Sequence, residues 1–438
     1  MPVVVEVHVD VFFVVTSLMG GVALLGYAMA LMSGALRDAF GAGLKEGIRT
    51  ACATRGSAFM TGAVSTAILT SSTATSALVL QFVAGGDMTF EQSLGVLLGI
   101  NVGSTLNAHL LSVHMQRYGM LLVAAGYLAS LLHRLPRVRH VGVATLGLGL
   151  LFTSIGVMAA GIAPLKHSAT FLAALTYLHT PATAAVVAAL AAVVLQSSNT
   201  VIAIAILLAH QGFLPLESAV YLVYGANVGT CVTSLALAVG QPRDAMRVAV
   251  VYLLFKAVGV AVLMPCTPVL MALLGAMSTA AQAHAEEAAL AAALADGSLA
   301  SNGIGALEGI REAARRALLP TQVATAHTLV NVAIAAIFMP LLPVLAPLLS
   351  RLTGGVTAAP PRAVARPPPP PPSGGTVYAG SIDDADHPFF PPPPPPPPLH
   401  LPPMAGSSPA TLRTWTPPAT TTLTAACRWT SSRRAGTR

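Results

Sequence analysis

Long apolar stretches separated by short polar ones fill the first 350 residues of the chain. Most of these stretches reach about 20 residues, the length that an α-helix needs to cross a hydrocarbon core of roughly 30 Å. The pattern predicts an all-α polytopic membrane protein. The apolar segments fall at 11–35, 57–84, 92–113, 117–133, 141–163, 181–209, 216–239, 246–275 and 321–349.

Two of these segments differ from the others because small polar side chains interrupt them in the middle. ILTSSTATSAL occupies residues 68–78, and VLQSSNTVIAI occupies residues 194–204. The apolar arm on either side of each polar run is long enough to form a helix across about half a bilayer. We therefore predict two re-entrant helical hairpins, at 57–84 and 181–209. Their tips are Thr70–Thr75 and Gln196–Thr200.

The segments belong to two copies of one unit, separated by a constant offset of 126 residues. Ser71 recurs as Ser197, and GINVG at 99–103 recurs as GANVG at 225–229. Each copy holds one hairpin and three full crossings, and an odd number of crossings turns the second copy upside down in the membrane. The sequence therefore predicts the inverted-repeat architecture of many secondary transporters.

The predicted organisation has five parts. A first transmembrane repeat is followed by a second, inverted one, then by an extramembrane loop, a last transmembrane helix and a disordered tail. Their boundaries are 11–136, 137–275, 276–320, 321–349 and 350–438. The tail is rich in proline and has too little apolar surface to offset the cost of ordering. It is interpreted as an inert segment, with the alternative that proline-binding protein modules recognise it.

Composition and charge narrow the class of protein further. Charged residues make up 9% of the chain, against about 25% in a soluble domain, and the mean hydropathy is +0.72. The net charge of +7 comes from basic residues in short loops and in the tail, as the positive-inside rule describes. This distribution indicates a lipid bilayer as the partner and does not indicate nucleic acid. We predict a multi-pass protein of the plasma membrane.

The polar tips and two later motifs carry the predicted chemistry. Hydroxyl oxygens at a tip can bind a hard cation, and their O–H groups can donate to an anion. Helix N-termini at the tips add partial positive charge. The glycines of 99–103 and 225–229 are expected to let each helix unwind at mid-span, beside an asparagine and further hydroxyls. The residues predicted to bind substrate or ions are Thr70, Ser71, Ser72, Thr73, Thr75, Asn101, Ser104, Thr105, Gln196, Ser197, Ser198, Asn199, Thr200, Asn227, Thr230 and Lys256.

No Asp or Glu lies inside the predicted spans, because Glu91 and Glu217 sit at their entrances. Proton relays usually depend on such carboxylates. Coupling to sodium through neutral oxygens is therefore favoured over coupling to protons. The predicted sodium ligands are Ser72, Thr73, Gln196 and Ser198. No cofactor other than this coupling ion is expected. The sequence contains no P-loop and no catalytic triad, so neither ATP-driven transport nor an enzyme is predicted.

Lys256 lies near the middle of the predicted span 246–275. A charge at that depth costs about 3 kcal/mol or more without a partner. Two interpretations remain open at this point. The side chain snorkels toward an interface, or its ammonium group points at the central cavity and either replaces a sodium ion or attracts the anion.

The polar tips followed by Gly-x-Asn-Val-Gly resemble the type II sodium-dependent phosphate cotransporter family (Na+/Pi cotransporters). The signature of that family is Gln-Ser-Ser-Ser followed by Gly-Ala-Asn-Ile-Gly-Thr-Thr in each of two repeats. The resemblance extends from about Gly20 to Pro347, and the sequence departs from the signature at Thr70, Thr73 and Asn199. It implies sodium-coupled symport of inorganic phosphate by alternating access, with phosphate and Na+ bound between the two hairpin tips.

Two other functions remain open. The run Ser198-Asn199-Thr200 also resembles the tips of sodium–dicarboxylate carriers, so a sodium-coupled carrier of another small anion is one alternative. The other is a phosphate sensor that binds without transport and signals through the Pro-rich tail. Ion-dependent uptake into vesicles separates transport from sensing.

Overall fold

The computed structural model describes residues 11–113, 115–132, 134–295 and 298–352. These residues form α-helices joined by turns and short 3-10 segments, and no strand occurs among them. Six helical stretches in this part of the chain are long and apolar enough to cross a membrane. The prediction of an all-α polytopic protein is confirmed at this level. The predicted disordered tail, 350–438, lies outside the described residues apart from the end of the last helix.

The helices follow the order of the predicted segments. The first repeat contains α1 (Val11–Thr50), α2 (Arg55–Leu69), α3 (Ser72–Gly85), α4 (Phe90–Gly103), α5 (Leu106–Ser112) and α6 (Gly119–Ser130). The second contains α7 (Pro136–Ile162), α8 (Ala169–Thr176), α9 (Pro181–Val194), α10 (Ser198–His210), α11 (Leu216–Ala238) and α12 (Arg243–Leu263). They are followed by α13 (Thr267–Ala295) and α14 (Ser298–Leu352).

Each segment predicted as a hairpin is a pair of helices interrupted at the predicted tip. Thr70 and Ser71 separate α2 from α3, and residues 195–197 separate α9 from α10. The interruption has the same cause in both repeats: Thr70 has φ 53° and Gln196 has φ 50°, a left-handed conformation that residues with a Cβ rarely adopt. Thr70 and Gln196 are related by the repeat offset. Whether the two pairs re-enter the membrane stays a prediction.

Glycines of the two Gly-x-Asn-Val-Gly motifs hold α4 and α11 against the first arm of each hairpin. A Cβ atom on Gly99 would lie 2.0 Å from the Phe59 carbonyl oxygen, and one on Gly225 would lie 2.0 Å from the Ala185 carbonyl oxygen. The repeat offset relates these two contacts, residue for residue. Such close approach of helix backbones is a common role of small residues in membrane proteins.

The unwinding predicted at these motifs is wrong for the second repeat. There α11 runs without interruption from Leu216 to Ala238, whereas the first repeat has a turn at Ser104 and Thr105 between α4 and α5. Glycine permits unwinding but does not require it. In α11 the glycines serve close packing on α9, and the helix stays intact.

The first helices of the two repeats, α1 and α7, pack against each other through reciprocal contacts. A Cβ atom on Gly21 would lie 2.3 Å from Met158 Cγ, and one on Gly147 would lie 2.9 Å from Met32 Cβ. Gly21 and Met32 correspond to Gly147 and Met158 at the repeat offset. Because positions early in α1 contact positions late in α7, the two helices are antiparallel.

The crossing predicted at 117–133 contains a shorter helix than expected. The α6 helix has 12 residues, which is about 18 Å of helix, and it is not among the six candidate spans. It ends at Ser130 because the chain turns before Pro136, which occupies the first helical position of α7. A Cβ atom on Gly126 would lie 2.3 Å from Leu146 N, so α6 packs closely along α7.

The loop predicted at 276–320 is helical in its described part. The α13 helix continues to Ala295, and α14 is a 55-residue helix that contains the whole predicted last span, 321–349. Residues 276–320 are rich in Ala, Glu, Leu and Arg, which are among the residues with the highest helix propensities. The α1 helix also continues to Thr50, well beyond residue 35. Which of these helical ends lie outside the membrane stays a prediction.

Candidate functional site

A cavity of about 380 Å³ lies where the two polar tips meet one face of α1. The structure thereby brings together residues that are 126 positions apart in the sequence. The predicted binding residues that line it are Thr70, Ser71, Ser72, Thr73, Gln196, Ser197, Ser198, Asn199 and Thr200. The side of the cavity formed by α1 consists of Gly26, Met29, Ala30, Ser33, Gly34 and Arg37. We call this space the tip cavity.

Each tip presents the N-terminus of a helix to the tip cavity. Ser71 caps α3 by accepting a hydrogen bond from Ala74 N at 3.1 Å, and Ser197 caps α10 by accepting one from Thr200 N at 3.2 Å. Serine suits this position because its oxygen satisfies an N–H group that has no partner inside the helix. The remaining free N–H groups and the helix dipole provide partial positive charge. Two such helix ends at one cavity favour an anionic ligand.

Arg37 is a cavity residue that the sequence did not reveal. Of the described residues that line the tip cavity, it is the one with a charged side chain. Reasoning from charge alone assigns it to a cytoplasmic loop, but α1 extends past it and carries it to the cavity. The spacing of Gly26, Ala30, Ser33 and Arg37 is the signal that was available, since these positions share one face of a helix.

The first tip is anchored by side chains that bind its free carbonyl groups. Ser33 Oγ donates to the Leu69 carbonyl oxygen at 2.7 Å, and Asn107 Nδ2 donates to the Thr70 carbonyl oxygen at 2.7 Å. In the second repeat the equivalent positions hold Ala159 and Thr233. Alanine has no hydroxyl group, and Thr233 Oγ1 donates instead to the Thr230 carbonyl oxygen at 2.6 Å. The described hydrogen bonds of the second tip include no counterpart of this anchoring.

Some buried oxygens around the tips have no hydrogen-bond partner in the structure. They include Thr70 Oγ1 and Asn199 Oδ1, and both residues line the tip cavity. Unpaired buried polar atoms are costly unless a ligand, ion or water satisfies them. Neutral oxygens near half-helix ends fit a sodium ion. In the described part of the chain no group of His, Cys, Asp or Glu residues has the arrangement of a metal centre.

Four of the predicted binding residues that carry hydroxyl groups do not line the tip cavity. Thr75, Ser104, Thr105 and Thr230 each donate to a backbone carbonyl oxygen three or four residues earlier in the same stretch of chain. Each of the four is buried. Their hydroxyl groups therefore satisfy local backbone, and the structure does not place them with the other predicted binding residues.

Asn101, Asn227 and Lys256 lie in a second group of buried polar side chains, which we call the core polar cluster. Its members come from α4, α11, α12 and α14. They are Asn101, Asn227, Cys231, Tyr252, Lys256, His327 and Asn331, and each is buried. None of them is among the described residues that line the tip cavity.

Hydrogen bonds connect most of the core polar cluster. Tyr252 Oη donates to Asn101 Oδ1 at 2.7 Å, and His327 Nε2 lies 3.4 Å from Asn227 Oδ1. Asn331 Nδ2 donates to the His327 carbonyl oxygen at 2.8 Å. The two repeats thus contribute the same asparagine, but its partner comes from α12 in one case and from α14 in the other.

Comparison with known proteins identifies the family of the chain. The sequence profile of the family described as "Na+/Pi-cotransporter" matches residues 24–160 and 165–282. These two segments cover more than half of the chain, and the chain belongs to the Na+/Pi-cotransporter family. This is a family of transporters and not a class of enzymes. No solved structure matches the chain.

Several bacterial proteins are similar in sequence. "Uncharacterized protein YqeW" of Bacillus subtilis is 30% identical over 209 residues, which are 48% of this chain and 68% of that protein. "Putative inorganic phosphate export protein YjbB" of Escherichia coli strain K12 is 28% identical over 264 residues, 60% of this chain and 48% of that protein. The matched region of the chain thus spans about half the length of YjbB.

Proposed function

We propose that this protein is a sodium-coupled symporter of inorganic phosphate that binds phosphate and Na+ together in the tip cavity. The observation that carries the proposal is the convergence of two helix N-termini and one arginine, Arg37, on a single cavity. Family membership and the relatives named for phosphate export support phosphate as the transported ion. The protein is proposed to lie in the plasma membrane.

The features of the tip cavity fit a small oxyanion. An arginine can donate two parallel hydrogen bonds to a phosphate group, and it keeps its charge at any physiological pH. The hydroxyl groups of Ser72 and Ser198 supply further donors at the first turns of α3 and α10. These donors come from both repeats, so a bound anion would bridge them.

Sodium is proposed to bind through neutral oxygens at the same tips. Asn199 Oδ1 has no described partner, and the carbonyl groups at the end of α9 lack the anchoring side chains that occupy those of α2. A cation beside the anion would offset the mutual repulsion of a divalent phosphate and the carbonyl dipoles. Ser72, Thr73, Gln196 and Ser198, the predicted sodium ligands, all line the cavity.

The contacts between α1 and α7 support the proposed inverted arrangement. Reciprocal contacts are the mark of a twofold relation, and here they join two antiparallel helices. A twofold axis that exchanges antiparallel neighbours runs perpendicular to them, which in a membrane means parallel to its plane. The short α6 and its flanking turns would then return the chain across the bilayer before α7. Alternating access follows naturally when such halves rock around a shared site.

The decisive experiment uses the purified full chain in liposomes. Labelled phosphate uptake should be several-fold faster with an inward sodium gradient than with an equal potassium gradient. Ser72→Ala and Ser198→Ala should each slow uptake, while Ser130→Ala, whose hydroxyl bonds the Tyr127 carbonyl oxygen away from the cavity, should not. Uptake independent of sodium in the wild type would contradict the coupling, and normal uptake by both tip variants would contradict the site.

The remaining alternatives correspond to other outcomes of this assay. Uptake of labelled succinate with no uptake of phosphate would favour a dicarboxylate carrier, and phosphate binding without flux would favour a sensor. The relatives named for export raise the question of direction. Reversing the sodium gradient on phosphate-loaded liposomes tests it, because a coupled carrier runs whichever way the combined gradients point.

A further inference from the structure

Lys256 is the least expected member of the core polar cluster. It lies in the interior of α12, and 3% of its surface is exposed. The long side chain does not reach water from this position, so the snorkelling interpretation does not describe the structure. A charged group buried at this depth is retained only where its surroundings stabilise it.

The surroundings of Lys256 contain no carboxylate partner. The ion pairs of the described residues involve arginines with Glu46, Asp244 and Glu312, and none includes Lys256. The titratable side chains that share the core polar cluster with it are Cys231 on α11, Tyr252 on α12 and His327 on α14. None of them supplies a negative charge at neutral pH by its ordinary chemistry.

Neutral groups instead surround the ammonium group. The Nζ atom lies 5.3 Å from the centre of the Tyr252 ring, within the range of a cation–π interaction. Tyr252 Oη donates to Asn101 Oδ1, and Asn331 Oδ1 is a buried acceptor without a partner, whereas the unpaired atom of Asn227 is its amide nitrogen. Aromatic faces, amide oxygens and carbonyl groups are the same kinds of ligand that hold a small monovalent cation inside a membrane protein.

A lysine occupies this position in only one of the two repeats. The position equivalent to Lys256 is Ser130, which ends α6 and bonds the Tyr127 carbonyl oxygen. Lys256 also lies on α12, which packs against α3, the second arm of the first hairpin. Lys256 does not line the tip cavity.

We propose that the Lys256 ammonium group is a built-in cation that occupies a position where a sodium ion would otherwise bind. The core polar cluster then needs no exchangeable cation, and the carrier moves fewer sodium ions per substrate than a version without the lysine. The assignment of the cation site depends only on the geometry of the core polar cluster. Its consequence for transport rests on the proposed function.

The first test measures sodium binding without any substrate. Thermal unfolding of the purified protein is compared in NaCl and choline chloride for the wild type, Lys256→Asn, Lys256→Met and Lys256→Arg. Lys256→Asn removes the charge and supplies an amide oxygen, so its melting temperature should rise with about 200 mM sodium by about 3 °C more than that of the wild type. Lys256→Met has no ligand oxygen and Lys256→Arg keeps the charge, so neither should gain this additional rise.

Three results of the unfolding experiment would overturn the proposal. An equal sodium response of Lys256→Asn and the wild type would overturn the proposal, as would an equal gain in Lys256→Met. If Lys256→Asn does not fold, Lys256→Gln takes its place. Failure of both in high sodium, where Lys256→Arg folds, would also overturn it, because sodium would then not substitute for the lysine.

The second test measures transport. Liposomes with the wild type and Lys256→Asn are compared for the ratio of labelled sodium to labelled phosphate taken up together. The ratio should rise by about one sodium ion per phosphate in the variant, and an unchanged ratio would contradict the proposal. If the wild type carries no phosphate, the proposed function fails while the unfolding experiment still decides the cation site.

Discussion

The two repeats share a framework but differ in the groups they place around it. The interrupted helix, the serine cap and the glycine contacts recur at a constant offset. The charged and anchoring groups do not: Arg37 corresponds to Ala163, Ser33 to Ala159, and Lys256 to Ser130. The cap serines and the packing glycines are therefore the same residue type in both repeats, while these charged and anchoring positions differ.

This difference indicates that the two hairpin tips have different roles. The first tip is tied to its surroundings by two side-chain hydrogen bonds and lies beside the arginine. The second tip lacks these ties and carries the asparagine oxygen without a partner. We interpret the first as the more rigid anion-binding half and the second as the half that adapts to a bound ion.

The largest effect is expected in cysteine labelling, which tests the membrane topology of the two repeats. In a background without native cysteines, Gly85→Cys and Gln211→Cys place thiols at positions related by the repeat offset. Opposite orientations of the repeats predict that an impermeant maleimide labels the two positions from opposite faces. The positive-inside rule puts the basic residues 37–55 that precede the first hairpin in the cytoplasm, so Gly85→Cys should be labelled from there and Gln211→Cys from outside. Labelling of both positions from the same face would contradict the opposite orientation of the two repeats.

The next effect is on folding and should be equal in the two repeats. Gly99→Ala and Gly225→Ala each introduce a Cβ about 2.0 Å from a backbone oxygen. Overpacking of this kind typically costs about 1–3 kcal/mol, so both melting temperatures should fall by several degrees. Gly156→Ala is the control, since no atom lies within 4 Å of its Cβ position. A fall in one repeat alone would show that only one contact supports the fold.

A functional difference between the repeats is expected at Arg37. Loss of a hydrogen bond to a charged group costs about 1.5–3 kcal/mol, so Arg37→Gln should weaken phosphate affinity by about tenfold or more. Arg37→Lys should recover part of the loss. Lys45 lies on the same helix and lines a neighbouring cavity but not the tip cavity, so Lys45→Gln should leave affinity unchanged. If it weakens affinity as much as Arg37→Gln, the effect is one of general charge and not of the cavity.

The smallest effect concerns the mobility of the tips. Each of the anchoring hydrogen bonds of the first tip contributes about 1 kcal/mol, so its amides should exchange with deuterium several-fold more slowly than those of the second tip. The double variant Ser33→Ala, Asn107→Ala should bring the two rates together. Exchange that is already equal in the wild type would mean that these bonds do not distinguish the tips.

Much of this protein follows from its sequence alone. Apolar length and low charge predict membrane-spanning helices, because a bilayer requires about 20 apolar residues per helix. The offset of 126 residues predicts two equivalent units, and the hydroxyl-rich runs predict where the helices break. These features are local or periodic, so they can be read along the chain. The positions of the two breaks agree with that prediction.

Only the tertiary structure decided which polar residues share a site. The same motif that predicts an unwound helix at Gly225 serves close packing on α9, because glycine permits either outcome and the neighbouring helix selects one. Arg37 reaches the cavity only because α1 continues past it. Asn101, predicted beside the tips, and Lys256, for which a position at the cavity was one of two interpretations, do not line the cavity and instead contact Tyr252. Contacts between residues more than 100 positions apart depend on how helices pack, and no local pattern encodes that packing.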